Sequence, residues 1–122
     1  MTFGNMISLL PQVKTEKLRA LAVTTGKRSP VLPNIPTVAE TLPGYLSGPW
    51  YGVLAPAGLP PAILSRLNQE LVKVVHSREV SDSLRSEGAD PIGSSPAEFA
   101  AHIKSELERM GKVVQKSKMK VD

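Results

Sequence analysis

The sequence contains no cysteine, which excludes disulfide bonds, thiolate metal sites and a cysteine nucleophile. It contains no run of eighteen apolar residues, so no transmembrane helix is predicted. Aromatic residues make up only 4% of the chain, as two Phe, two Tyr and one Trp. None of them lies in the lysine-rich C-terminal stretch, so the mixture of basic and aromatic residues that binds single-stranded nucleic acid is missing. We therefore predict no nucleic-acid partner.

Motifs for covalent catalysis and for metal binding are also missing. The chain has neither H-E-x-x-H nor G-x-S-x-G, and no carboxylate stands at ligand or triad spacing from His76 or His102. A phosphate-binding loop ending at Lys27 would need a glycine where Leu21 stands. Lys27 and Arg28 follow a predicted strand, where they either face a small anion or are exposed loop charges. We predict no enzyme activity, no catalytic residue, no metal and no cofactor.

The length and composition are those of one globular domain. The 122 residues are 41% hydrophobic and 21% charged, with a net charge of +4. Four lysines in the last eleven residues account for much of that charge, and a solvated basic helix end explains them. The N-terminus has no basic segment before its apolar part, so it does not predict a secretory signal. As written, the chain is expected in the cytoplasm, or it is a piece of something longer.

Two short apolar runs predict the centre of a sheet. They are Leu18–Val23 and Trp50–Leu54, separated by a Pro-, Gly- and Ser-rich connection that is too long for a tight hairpin. Residues 89–93 could add a short edge strand. The tail 118–122 is expected to be loose or to form a further edge strand.

Capping residues predict where the helices begin and end. Asn5 caps a helix to about Val13, and Thr37 with Glu40 forms a capping box before a short helix. Proline at the first helical positions starts a helix after residue 60, and Ser77 caps the next one. Gly88 ends that helix in a left-handed conformation, and Ser95 with Glu98 opens a long final helix, which Gly111 could kink or end early.

Two of these helices have apolar residues at helical spacing, which predicts a buried face on each. The residues expected to be buried are Ile63, Leu67, Leu71, and Val74 or Val75 on one helix, and Phe99, Ile103, Leu107, Met110 and Val114 on the other. The overall prediction is an α/β fold with a few-stranded mixed sheet covered by helices.

Several stretches resemble one family in its own order. They are LRALAVTTGKRSPVLPNIPTVAE, PWYGVLAPAGLP, ILSRLNQELVKVV, GADPIGSSPAEFAAHIKSE and GKVVQKSKMKVD. Together they cover essentially the whole chain, which resembles the C-terminal portion of the substrate-binding receptors of tripartite tricarboxylate transporters, the Bug-type solute receptors. The resemblance implies a partial periplasmic-binding-protein-like (type II) fold. Residues 1–48 would then belong to the second lobe and the crossover, and residues 49–122 would return to the first lobe.

The same resemblance implies a function. A small carboxylate would be bound non-covalently in a cleft between lobes, and a membrane permease would be the partner of the receptor in the periplasm. The implied ligand-binding residues are Phe3, Asn5, Thr24, Thr25, Trp50 and Tyr51. As a truncated domain the chain is expected to bind weakly alone and to form a homodimer or a swapped oligomer. The alternative is a cytosolic interaction or structural domain without a transport role.

Overall fold

The computed structural model describes residues 1–117, and the predicted behaviour of residues 118–122 lies outside that range. The helices, in chain order, are α1 (Met6–Lys14), a 3₁₀ helix (Val38–Glu40), α2 (Pro61–Val75), α3 (Arg78–Ser86) and α4 (Pro96–Ser117). All five were predicted. None of these helices is long and apolar enough to cross a membrane.

The first helix begins as the capping pattern predicts. The side-chain oxygen of Asn5 accepts a hydrogen bond of 3.1 Å from the backbone N–H of Ile7. This bond satisfies one of the N–H groups that have no partner within the first turn of a helix. The helix turns Leu10 into the interior, where the side chain is buried.

The predicted strand Leu18–Val23 is reduced to one contact. A single parallel bridge joins Val23 to Thr37, with hydrogen bonds of 2.9 Å from Val23 N to Pro36 O and from Val38 N to Val23 O. No other residue of the described range 1–117 is assigned to a strand or bridge. Trp50–Leu54 and residues 89–93, which were predicted as strands, therefore lie outside regular secondary structure. A strand needs a neighbour to accept and donate its backbone hydrogen bonds, and an apolar run does not specify one.

The end of α3 follows the prediction, but its beginning differs. Gly88 has φ +81°, the left-handed conformation expected of a glycine that ends a helix. Ser77 occupies the N-cap position, but its hydroxyl donates to the carbonyl of Val74 at 2.7 Å and does not cap the helix. The preceding helix ends only two residues earlier, so its last carbonyls compete for that hydroxyl.

The final helix begins with the predicted capping box. Glu98 N donates to Ser95 Oγ at 3.2 Å, and Ser95 N donates to the Glu98 carboxylate at 2.8 Å. The hydroxyl of Ser95 also donates to that carboxylate, and these bonds lower the pKa of Glu98. The helix passes through Gly111 without ending there.

The chain forms two compact units. The first unit comprises Met1–Val53 and Lys73–Ile92, and the second comprises Leu54–Val72 and Gly93–Asp122. The first unit contains the core, in which Leu10 and Val23 are the buried hydrophobic residues.

In the second unit, no residue of the described part is buried. The predicted buried faces of α2 and α4 are therefore wrong for this chain, because an apolar stripe is buried only where a second surface covers it.

Substitution of Gly88 by alanine tests the role of the left-handed turn. The new Cβ would lie within contact distance of the Met6 side chain and 3.3 Å from Val31 Cγ2. A left-handed backbone alone costs an alanine roughly 1–2 kcal/mol. Because the new methyl group would also crowd Met6 and Val31, we expect the unfolding free energy, measured by urea denaturation, to fall by more than that.

The matched control is Gly44→Ala, because Gly44 has φ +84° with no atom within 4 Å of the added Cβ. This variant should lose only the roughly 1–2 kcal/mol of unfolding free energy that the left-handed backbone costs an alanine. Equal losses in the two variants would contradict a packing role for Gly88.

Candidate functional site

Asn5 and Tyr51 are two predicted site residues that the structure brings together. The amide nitrogen of Asn5 donates a hydrogen bond to the Tyr51 hydroxyl, although the two residues are 46 positions apart. The oxygen of the same amide caps α1 at Ile7. Asn5 is thus held at both ends of its side chain, which fixes the orientation of its N–H groups at the start of the helix.

Thr24 and Thr25 directly follow the bridge at Val23. The carbonyl of Thr24 accepts a 3.0 Å hydrogen bond from Ser47 N, and the hydroxyl of Thr25 donates to Lys27 O at 2.7 Å. The first bond ties the end of the bridge to the chain that leads to Trp50. Within residues 1–117, no hydrogen bond joins either threonine to Asn5 or Tyr51.

The aromatic members of the predicted site are exposed. Phe3 and Tyr51 keep about three quarters of their surface accessible (75% and 74%), and Trp50 keeps 42%. They are therefore not core residues in this chain. An exposed aromatic face can contact the apolar part of a ligand while neutral donors bind its oxygen atoms, and Tyr51 has such a donor beside it in Asn5.

Arg28, the second residue of the basic pair at the predicted strand end, is paired with an acidic side chain. Arg28 makes a bidentate pair with Glu40, at 2.8 Å from Nε to Oε1 and 2.6 Å from Nη2 to Oε2. Its third donor group lies 3.4 Å from Pro33 O. The guanidinium is therefore held by groups of the chain itself, although the side chain is 48% exposed. This arrangement does not support the interpretation of Arg28 as an anion ligand.

Glu40 connects this ion pair to the capping box. Its Oε1 also accepts a 3.0 Å hydrogen bond from Thr37 N, and Thr37 Oγ1 accepts from Glu40 N at 3.2 Å. The hydrogen bonds from Arg28, with the backbone hydrogen bond from Thr37, lower the pKa of Glu40 to about 2. The sequence predicted the box but not the arginine, because no local rule links residues twelve positions apart.

Ser47 is a further residue that sequence reasoning missed. Within residues 1–117, Ser47 is linked to the predicted site by its backbone N–H, which donates to Thr24 O, and a backbone donor cannot be recognised from residue type. The resulting set of groups consists of an amide, hydroxyls and aromatic rings. Such groups can hold an oxygen atom of a ligand, but they do not form the acid–base pair that proton transfer would require.

We also searched the described residues for a metal site and for a groove. No three His, Cys, Asp or Glu side chains in this part of the chain are grouped so that they could hold a metal ion. A half-open groove of about 250 Å³ lies between α1 and the end of α3. Its lining is mainly apolar, with Lys14 and Glu87 as its charged members.

Comparison with known proteins gives a family match over nearly the whole chain. The family described as "Tripartite tricarboxylate transporter family receptor" matches residues 1–119. Protein BugT of Bordetella pertussis is 32% identical over 118 residues, which are 96% of this chain and 36% of that protein. A UPF0065 protein of Pseudomonas sp. strain P51, from the tcbD–tcbE intergenic region, is 36% identical over 116 residues, which are 93% of this chain and 34% of that protein.

A solved structure shows the same fold. R. palustris Rpa4515, solved with adipate, superposes with a TM-score of 0.81 and 37% sequence identity. The superposition covers 90% of this chain and 37% of that chain. It confirms the predicted partial periplasmic-binding-protein-like α/β fold, although the sheet is represented by one bridge in residues 1–117. The chain spans about a third of the length of each of these three proteins.

The acid dependence of stability tests the Arg28–Glu40 pair. The pKa of Glu40 is lowered in the folded chain, so its contribution is fully present above its ordinary value of 4.5 and is lost as pH falls toward 2. We expect Glu40→Gln to be less stable than the unsubstituted chain above pH 4.5, with the difference shrinking between pH 4.5 and 2. Urea denaturation at several pH values measures this difference.

Glu108→Gln is the matched control, because it removes the same charge from an exposed position on α4. This variant should still lose stability as pH falls from 4.5 toward 2, because it retains the Arg28–Glu40 pair. A difference between Glu40→Gln and the unsubstituted chain that stays constant from pH 7 to pH 2 would contradict the assignment.

Proposed function

Because this chain belongs to the tripartite tricarboxylate transporter receptor family, we propose that it binds a small carboxylate and does not transform it. The observation that carries the proposal is the family match over residues 1–119. The adipate in the R. palustris structure supports a carboxylate as the ligand class. The matching family is described as a receptor family, which supports the prediction that the chain is not an enzyme.

The proposed ligand-binding residues remain those predicted from the sequence: Phe3, Asn5, Thr24, Thr25, Trp50 and Tyr51. All six lie in the first unit. Their neutral donors suit a carboxylate, since hydrogen bonds to an ionised oxygen are stronger than those between neutral groups. Arg28 is left out, because its guanidinium is paired with Glu40.

The proposal extends to the setting of the protein. The chain would act in the periplasm as part of a two-lobed receptor that delivers its ligand to a membrane permease. Residues 1–48 would contribute to the second lobe and the crossover, and residues 49–122 to the first lobe. Self-association of the chain also belongs to the proposal, because the second unit leaves its apolar side chains uncovered.

Titration with adipate, followed by two-dimensional amide NMR, tests ligand binding by this chain. The method detects the weak binding expected of a chain that spans a third of its relatives. We expect concentration-dependent shifts at the amides of Asn5, Thr24, Thr25 and Tyr51. The compound 1,6-hexanediol has the same carbon chain without carboxylates and should leave these amides unchanged.

Asn5→Ser separates binding from folding. Serine retains the N-cap of α1 but removes the amide donor, so the adipate shifts should weaken while the helix persists. Asn34→Ser, at an exposed loop position in the same unit, is the control. Shifts scattered over the chain, or equal shifts with hexanediol, would contradict the proposal and favour an interaction domain without a transport role.

A further inference from the structure

The loop of residues 24–28 is tied to the rest of the first unit at both of its ends. It begins directly after Val23, which forms the parallel bridge. It ends at Arg28, whose Nε and Nη2 donate to the two carboxylate oxygens of Glu40 at 2.8 and 2.6 Å. The two threonines of the proposed ligand site lie between these attachments, so both attachments affect where the threonines are held.

Both attachments lead to the same capping box. Val23 pairs with Thr37, which caps the 3₁₀ helix, and Glu40 is the last residue of that helix. The Glu40 carboxylate accepts from Thr37 N at 3.0 Å while it also accepts from Arg28. The carboxylate therefore connects the far end of the loop to the residue that holds its near end. Loss of the Arg28 side chain would detach the far end from the box and leave the bridge in place.

The other hydrogen bonds of the loop do not replace this attachment. The carbonyl of Thr24 accepts from Ser47 N at 3.0 Å, which fixes the start of the loop. The hydroxyl of Thr25 donates to Lys27 O at 2.7 Å, which is a bond inside the loop that moves with it. Neither bond attaches the far end of the loop to the capping box.

The chemistry of the pair suits it to fix a geometry. A planar guanidinium makes two parallel hydrogen bonds to one carboxylate, which sets a direction as well as a distance. The side chains of Arg28 and Glu40 are 48% and 43% exposed. Ion pairs exposed to this degree contribute little to global stability. The main effect of the pair is therefore expected in the local geometry of the loop.

We propose that Arg28 and Glu40 are positioning residues, whose ion pair holds the loop of residues 24–28 in the conformation that binds a carboxylate. The inference rests on the proposed function and adds two residues that act without touching the ligand. A site that is only partly in its binding conformation has an apparent dissociation constant raised by the inverse of that fraction. The pair would thus raise affinity by keeping the loop in one conformation.

The direction of two charge changes separates positioning from direct attraction of the ligand. Arg28→Gln removes a positive charge, and Glu40→Gln removes a negative one. By attraction alone, Arg28→Gln would weaken adipate binding and Glu40→Gln would strengthen it. By positioning, both variants should raise the dissociation constant for adipate by about 3-fold or more. Adipate titration followed by amide NMR measures both constants.

Arg19→Gln is the matched control, because Arg19 is an exposed arginine of the same unit. It removes the same charge and should change the dissociation constant by less than about 2-fold, since isolated surface charges contribute little. Arg28→Lys keeps the charge of Arg28 but cannot form two parallel bonds to the carboxylate. Positioning predicts weaker adipate binding by this variant as well.

A measurement without ligand tests the loop itself. We expect nitrogen-15 relaxation to show lower order parameters for the amides of residues 24–27 in Arg28→Gln and Glu40→Gln, falling toward the ~0.6 typical of flexible backbone. The amides of α1 should keep their order in the same spectra, which shows that both variants are folded. Arg19→Gln should leave the loop as ordered as in the unsubstituted chain.

Unchanged order at residues 24–27 in Arg28→Gln would overturn the proposal. The bridge and the buried Ser29, whose hydroxyl donates to Met6 Sδ at 3.5 Å, would then suffice to hold the loop.

Opposite effects of Arg28→Gln and Glu40→Gln on adipate binding would also overturn the proposal, as would an equal loss of order in Arg19→Gln. If the unsubstituted chain does not bind adipate, the ligand proposal fails, and the relaxation measurement still decides whether the ion pair holds the loop.

Discussion

The parallel bridge between Val23 and Thr37 is the contact that organises the first unit. Its two backbone hydrogen bonds close a loop of the chain, and both bridged residues are buried. Thr37 also begins the capping box, whose carboxylate holds Arg28 in the loop that the bridge closes. Thr24 follows the bridge directly, so its position depends on this network. Loss of the bridge would release the loop and Thr24 with it.

Hydrophobic burial contributes less to this chain than to a typical domain of its size. Leu10 and Val23 are its buried hydrophobic side chains in residues 1–117, while most apolar side chains of α2 and α4 remain exposed. Burial of apolar surface is the main favourable contribution to folding, at about 25 cal/mol per Å². A surface that covered these apolar side chains would therefore add to the stability of the chain.

The sequence predicted the local features of this chain well. All four α-helices and the 3₁₀ helix were found, and the capping boxes at Thr37 and Ser95 have the hydrogen bonds that their spacing implies. Capping depends on groups within four residues of each other, so residue type and spacing suffice. The site was predicted only as a set of residues. The contact of Asn5 with Tyr51 and the bond of Ser47 to Thr24 could not be derived, because they join distant segments.

The caps at Asn5, Thr37 and Ser95 and the left-handed turn at Gly88 were thus determined by the sequence itself, since each depends on local hydrogen bonds and local sterics. The tertiary structure decided which apolar residues are buried, whether Leu18–Val23 pairs as a strand, and which partner Arg28 finds. These outcomes depend on what the rest of the chain places opposite each group. An apolar residue is buried only if another surface covers it, and a cation forms an ion pair only if a carboxylate lies close to it. The position of that surface or carboxylate depends on how distant parts of the chain fold.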